Sequence, residues 1–355
     1  MKMLRHLALL FLLSGCSYKN PYYDSSKPHH TPSGFRNNYL EGQIGGSFLK
    51  WQWEKHRQGL PPVPENGYRF PMVKPDLAWL QANREKRPSQ LSATFIGHAT
   101  VLVQLGGLNI LTDPMFSERA FAVQFLGPQR KVPPALSLSE LPHIDVVLIS
   151  HNHYDHLDRA SVQALNRQAG GPPQFLVPLG LKTWFAEQGI AHAREFDWWQ
   201  TLAWQGVQFN LVPVQHWSAR GLHDRFRSLW GGWWMQSAGA GASAKSVFFA
   251  GDTGYSKDFT DIRERFGPVD LALLPVGAYE PRWFMRNQHV NPAEAVQIHR
   301  DMQARQSIGI HWGSFELTDE ALDEPPKALA RALAEAHEPA DRFIALEHGQ
   351  TWRER

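Results

Sequence analysis

Four short apolar runs in this chain each give way to a histidine or an aspartate, and that recurrence restricts the fold more than any other feature. Asp145-Val-Val-Leu-Ile149 leads into SHNHYDHLD at 150–158. Gln208 to Val214 precedes His216, Ser246 to Ala250 precedes Gly251-Asp252, and Ser307-Ile-Gly-Ile310 precedes His311. Runs of this length and composition read as buried strands. Strands that end on one side of a sheet deliver the following residues to a common rim, on loops held by a rigid scaffold. The rim would carry His151, His153, Asp155, His156, His216, Asp252 and His311. Imidazoles and carboxylates crowded this closely make poor core material, because each needs a polar partner. They do suit two borderline cations such as Zn²⁺, each with three or four protein ligands and one open position. The plainer alternative is a hydrogen-bonded polar rim without metal.

Further strand runs lie at Ser92 to Ile96, Thr100 to Leu105, Leu108 to Thr112 and Leu271 to Val276. Helices are signposted by Asp158 as a cap for Arg159 to Arg167, and by Asn291-Pro292-Ala293-Glu294 ahead of Ala295 to Ala304. Phe48 to His56 reads as a short helix. Strand runs first and alternation later imply a layered α/β sandwich.

The chain has 355 residues with nearly equal acidic and basic counts and a formal net charge of +2, so there is no electrostatic case for nucleic acid. Fourteen tryptophans make a lipid-like partner conceivable, although core packing accounts for most of them more simply. Cys16 is the only cysteine. It closes MKMLRHLALLFLLSGC, whose apolar run Leu7 to Leu13 is too short to span a bilayer and suits a secretory signal peptide. Leu13-Ser14-Gly15-Cys16 resembles the bacterial lipoprotein cleavage box, which implies a signal over 1–15 and lipidation of Cys16. Ser17 in place of an aspartate then favours an outer-membrane lipoprotein on the periplasmic side of the envelope. Residues 16–40, rich in Ser, Pro, Asn and Tyr, read as a flexible tether, with 41–355 as one domain. No metal role is expected of His29 and His30 within that tether.

The order HxHxDH, His, Asp, His resembles the metallo-β-lactamase superfamily. That resemblance implies a four-layer αβ/βα sandwich and two zinc ions per chain. One would be held by His151, His153 and His216, the other by Asp155, His156 and His311, with Asp252 bridging. Asp113, in Ile110-Leu-Thr-Asp113, matches the superfamily's mainly structural aspartate and would accept from a ligand imidazole. FLVPLGL, AGDTGYS, FGPVDLALLPVGAYEPRWFM, QHVNPAEAVQIH, IHWGSFELTDE and the final EHG are similar to blocks of the N-acylphosphatidylethanolamine-hydrolysing phospholipase D family. The resemblance implies a phosphodiesterase that releases N-acylethanolamine and phosphatidic acid by attack of a metal-bridging hydroxide.

Asp155 and His289 are the candidate catalytic residues, His289 as oxyanion partner or general acid for the leaving group. Tyr279, Arg282 and Trp283 would line the lipid, with Arg282 near a phosphate. His98 could orient a ligand as Asp113 does, but reads more simply as a core histidine. Two alternatives stay open: a metal-dependent lactone or small phosphodiester hydrolase of the same fold, and a non-catalytic lipid-binding envelope protein. The expected partners are a phospholipid substrate and a membrane reached through the lipid anchor; homo-oligomerisation is left open.

Overall fold

The computed structural model describes residues 18–40, 46–86, 89–239 and 244–354. The expected signal peptide and Cys16 lie outside the described residues. A hairpin of β1 (His30–Thr31) and β2 (Gly34–Phe35) is followed by helices α1 (Phe48–Gln58) and α2 (Leu77–Glu85). One seven-stranded sheet starts as an antiparallel meander of β3 (Ser92–Gly97), β4 (Thr100–Leu105) and β5 (Leu108–Thr112). It continues through parallel β6 (Val146–Leu148), β7 (Gln174–Pro178) and β8 (Arg194–Phe196). Its other edge is β16 (Thr351–Arg353), paired with β3.

The second seven-stranded sheet runs in chain order from edge to edge. It holds antiparallel β9 (Thr201–Trp204), β10 (Val207–Val212), β11 (Gly232–Ser237) and β12 (Ser246–Phe249). Parallel β13 (Leu271–Pro275), β14 (Gln306–Ile310) and β15 (Phe343–Ile344) complete it. Helices α3 (Arg159–Asn166) and α4 (Lys182–Glu187) accompany the first sheet. Helices α5 (Asp258–Phe266), α6 (Arg282–Met285), α7 (Pro292–Asp301) and α8 (Glu324–Glu335) follow strands of the second.

Side-chain alternation sorts the first sheet into two faces. Phe95, Val101, Val103, Ile110, Val146, Leu148 and Leu176 point into a core shared with β10–β14. Their chain neighbours Ile96, Leu102, Leu111, Val147, Phe175 and Val177 pack with Leu80 of α2, Val162 and Leu165 of α3 and Phe185 of α4. A one-residue slip would exchange those faces, so burial on both sides pins the register. Truncating a central side chain such as Phe209 would cost about 3–5 kcal/mol. Phe259 and Ile262 of α5, Ala295 and Ile298 of α7 and Leu333 of α8 join the core from the second sheet's side. The result is the expected αβ/βα sandwich.

Every strand run read from the sequence is present within two residues at each end. So are α3 and α7, the latter with its full Asn291–Glu294 capping box. Strands β1, β2, β7, β8, β9, β11, β15 and β16 went unread; β1, β2, β8, β15 and β16 are only two or three residues long, β9 is half-exposed and β11 is the tryptophan-rich GWWMQS. The tryptophans themselves are mainly structural. Trp233 Nε1–H donates to Ile149 O, Trp230 Nε1–H to Val214 O and Trp198 Nε1–H to Trp230 O, all inside the core.

The expected tether requires correction. Residues 18–39 pack against the domain, with Phe35 buried and its N–H donating to Phe226 O. Lys27, His29 and His30 all contact the Asp197 carboxylate, at the point where the chain passes from one sheet to the other.

Candidate metal centre

Strands β5, β6, β10, β12 and β14 deliver Asp113, the 150–158 loop, His216, Asp252 and His311 to one buried rim. Two glycines let the backbones close up. Gly251 has φ 62°, and a Cβ there would stand 2.4 Å from the Cβ of Ser150. A Cβ on Gly277 would meet the His311 carbonyl oxygen at 2.1 Å.

The side chains fall into two groups of donors. His151 Nε2 lies 2.8 Å from His153 Nδ1, which is 3.3 Å from His216 Nε2. Asp252 Oδ2 is 3.8 Å from both the His151 and the His216 Nε2 atoms. In the second group, Asp155 Oδ2 stands 3.4 Å from His156 Nε2 and 3.3 Å from His311 Nε2, and those two nitrogens are 3.2 Å apart. Asp252 Oδ1 is 3.2 Å from His311 Nε2. Asp252 Oδ2 is also 3.0 Å from His156 Nε2, so this one carboxylate lies between the two groups and borders both.

The tautomers decide what these atoms can hold. His216 Nδ1–H donates to the Gln288 carbonyl at 2.9 Å, which leaves Nε2 a bare lone pair. His156 Nδ1–H donates to Asp113 Oδ2 at 2.7 Å, which aims Nε2 at Asp155, Asp252 and His311. The Ser150 hydroxyl donates to Asp113 and so accepts from His151 Nδ1–H at 2.9 Å. Asp113 thus orients two imidazoles, one directly and one through Ser150, as the resemblance implied for one. Lone pairs aimed at each other across about 3 Å repel unless a cation sits between them. The donor set fits two metal ions.

Charge divides the imidazoles into two sets. Burial pushes the Asp252 and Asp155 carboxyls up, but the imidazoles around them outweigh it and hold both well below the usual range. Burial drives His151 down, His153 to about 4 and His216 to about 3, so these remain neutral and ligand-ready. In the second group burial opposes a proton, but Asp252 and Asp155 outweigh it, raising His156 well above its ordinary value and His311 to about 9, so a metal ion bound there would displace protons.

The other candidates divide. His289 lies at the rim, with Nδ1 3.9 Å from Asp252 Oδ2 and no hydrogen-bond partner among the described residues. Arg282 does not face the rim as a free cation. Its guanidinium donates to Glu294 at 2.6 Å and to the His289 and Tyr279 carbonyls, so it secures the loop rather than awaiting a phosphate. Tyr279 is buried, whereas Trp283 is exposed and lies under Lys50 of α1. His98, weighed as a core histidine, reaches Asp155 Oδ2 at 3.1 Å and belongs to the site. Its position after β3 was visible in the sequence, but no motif tied it to the rim.

The fold and these donors define a metal-dependent hydrolase of the metallo-β-lactamase fold. Residues 108–312 match the β-lactamase superfamily domain family. The chain is 41% identical over 278 residues to N-acyl-phosphatidylethanolamine-hydrolyzing phospholipase D 1 of Caenorhabditis elegans, covering 74% of this chain and 76% of that one. It is 38% identical over 265 residues to the mitochondrial N-acyl-phosphatidylethanolamine-hydrolyzing phospholipase D of Saccharomyces cerevisiae, covering 73% and 55%. A possible metal-dependent hydrolase from Veillonella parvula superposes with a TM-score of 0.60 at 17% identity, over 75% of this chain and 100% of that one. A metallo hydrolase from Ignicoccus hospitalis does so at 0.57 and 19%, over 75% and 99%. The chain belongs to the metallo-β-lactamase superfamily and, within it, to the family of the N-acyl-phosphatidylethanolamine-hydrolysing phospholipase D proteins.

Proposed function

We propose that this protein is a zinc-dependent phospholipase D-type phosphodiesterase that cleaves N-acylphosphatidylethanolamine to N-acylethanolamine and phosphatidic acid. The observation that carries the reading is the pair of donor groups sharing Asp252, set in a chain akin to proteins named for that hydrolysis. His151, His153 and His216 would hold one ion and Asp155, His156 and His311 the other. Bound zinc would supply Lewis acidity toward the phosphoryl oxygens and a nucleophile at neutral pH. The chain's own contribution is orientation and proton handling. Asp113, Ser150 and Gln288 fix the ligand tautomers. His289, held by backbone bonds to Arg282 and Met285, keeps Nδ1 unpartnered at the rim; burial lowers the ring to about 3, so it stays neutral and would serve the leaving oxygen as a hydrogen-bonding oxyanion partner.

A lipid substrate is supported by apolar side chains near the site. Phe48, Leu49 and Trp53 are exposed on α1, the helix whose Lys50 lies over Trp283 and whose Trp51 stacks on Phe284 of α6, the helix that leads to His289. Phe121 is exposed beside Tyr154 of the histidine-rich loop. Lipidation at Cys16, on the periplasmic side of the outer membrane, would hold the centre next to its substrate.

The test uses zinc-loaded protein with N-acylphosphatidylethanolamine in mixed micelles, with products identified by mass spectrometry and Asp252→Ala beside it. Phosphatidic acid and N-acylethanolamine from the wild type alone are expected. No turnover by a protein that carries zinc would discard the substrate assignment.

A further inference from the structure

The N-terminal segment does more than cover the domain. Asn37 reaches His216 with both ends of its amide. Its Nδ2–H donates to the His216 carbonyl at 2.9 Å, and its Oδ1 accepts the His216 N–H at 3.0 Å. The same Oδ1 accepts from Trp230 Nε1–H at 3.2 Å, so the amide cannot flip without losing bonds. With Nδ1–H held by Gln288, His216 is gripped at backbone and ring alike. The next residue, Asn38, donates from Nδ2 to Asp258 Oδ1 at the start of α5.

The segment that presents Asn37 is itself firmly seated. Gly34 lets its backbone lie against the Phe226 carbonyl, where a Cβ would stand at 2.2 Å. Upstream, the backbone N–H of Asp24 donates to His30 Nδ1, which puts the ring proton on Nε2 and aims it at Asp197. His29, His30 and Asp197 are therefore a hydrogen-bonded clamp that Lys27 completes, and not a third metal site.

We infer that Asn37 is a positioning residue for the metal centre: residues 18–39 form a strap, outside the stretch 108–312, that sets the geometry of the three-histidine site through His216. This rests on the metal reading above. Backbone bonds at a ligand residue fix where its ring nitrogen stands, and loss of such support lowers metal affinity by about 10–100-fold.

The measurement is zinc affinity of the full chain by competition with a chromophoric chelator, with the cobalt(II) absorption spectrum as a second readout. Wild type, Asn37→Ala, Asn38→Ala and His216→Ala are compared. Two tight equivalents are expected in the wild type. Asn37→Ala should weaken by about 10–100-fold the same equivalent that His216→Ala abolishes, with a changed cobalt spectrum, while Asn38→Ala leaves both intact. Asn37→Asp keeps the acceptor for His216 N–H and Trp230 Nε1–H, and should fold and lose affinity at that site in part. Wild-type affinity at both sites in Asn37→Ala, or an equal loss in Asn38→Ala, overturns the positioning role of Asn37 alone. A wild type that takes up no zinc overturns the metal reading with it.

Discussion

The carboxylate of Asp113 and the imidazole of His156 meet at 2.7 Å, with neither exposed to solvent, and His156 turns its other nitrogen to within 3.0 Å of Asp252 Oδ2. An aspartate from the end of one strand thereby governs a donor set assembled from four others. Because Asp113 also holds Ser150, and through it His151, its influence extends to both groups of ligands.

Replacing Asp113 by alanine should therefore weaken both zinc equivalents, each by about 10–100-fold, measured by chelator competition. Ser150→Ala should affect the His151 side more than the other. Equal affinities in Asp113→Ala and wild type would contradict the orienting role.

Stripping the metal should destabilise the fold. An ion present at a hundred times its dissociation constant adds about 2.7 kcal/mol to the folded state. Thermal melts with and without chelator should differ accordingly, and zinc should restore the higher midpoint. A melt indifferent to chelation would mean that the donor set is not occupied.

Arg282→Ala tests whether this guanidinium secures the loop or binds substrate. The loss of its charged contact to Glu294 and of the bond to the His289 carbonyl should cost about 1.5–3 kcal/mol of stability. With His289 less firmly held, kcat should fall and KM stay near the wild-type value. A large rise in KM at unchanged stability would restore the phosphate-binding role expected from the sequence.

The Asp197 clamp gives a pH signature. Burial alone would raise this carboxyl, but bonds from His29 and Lys27 outweigh it and hold it well below the ordinary value. A depressed carboxyl contributes stability that is full above its unfolded value of about 3.9 and is lost as pH falls from there through the folded value. Asp197→Asn should thus melt earlier than wild type at pH 7, by about 2–3 kcal/mol, with the gap closing as the pH is lowered below about 4. A gap independent of pH would show that the charge is not what holds the strap.

The positions of the candidate ligands were legible in the chain because they obey a local rule: an apolar strand run, then a polar residue where the strand stops. Asp145 to His156 announces itself in this way, and so do the approaches to His216, Asp252 and His311. The capping box at Asn291 and Glu294 is equally local. Residue type and spacing within about ten positions determine such features, and the sequence by itself suffices for them.

What surrounds those ligands was decided only by the tertiary structure. Asn37 is 179 residues from His216, and no periodicity links an amide in a Ser- and Pro-rich stretch to a distant backbone. Composition marked residues 16–40 as a tether, yet Phe35 and the Asp197 clamp give 18–39 enough buried contact to dock. Arg282 looked like a phosphate partner until Glu294, placed by the turn into α7, took its charge. His98 looked like core until packing brought Asp155 to it. In each case, the outcome depends on which groups of opposite charge or unmet hydrogen bonds the two packed sheets bring within 3 Å. That depends on the packing of the whole chain, which no short window contains.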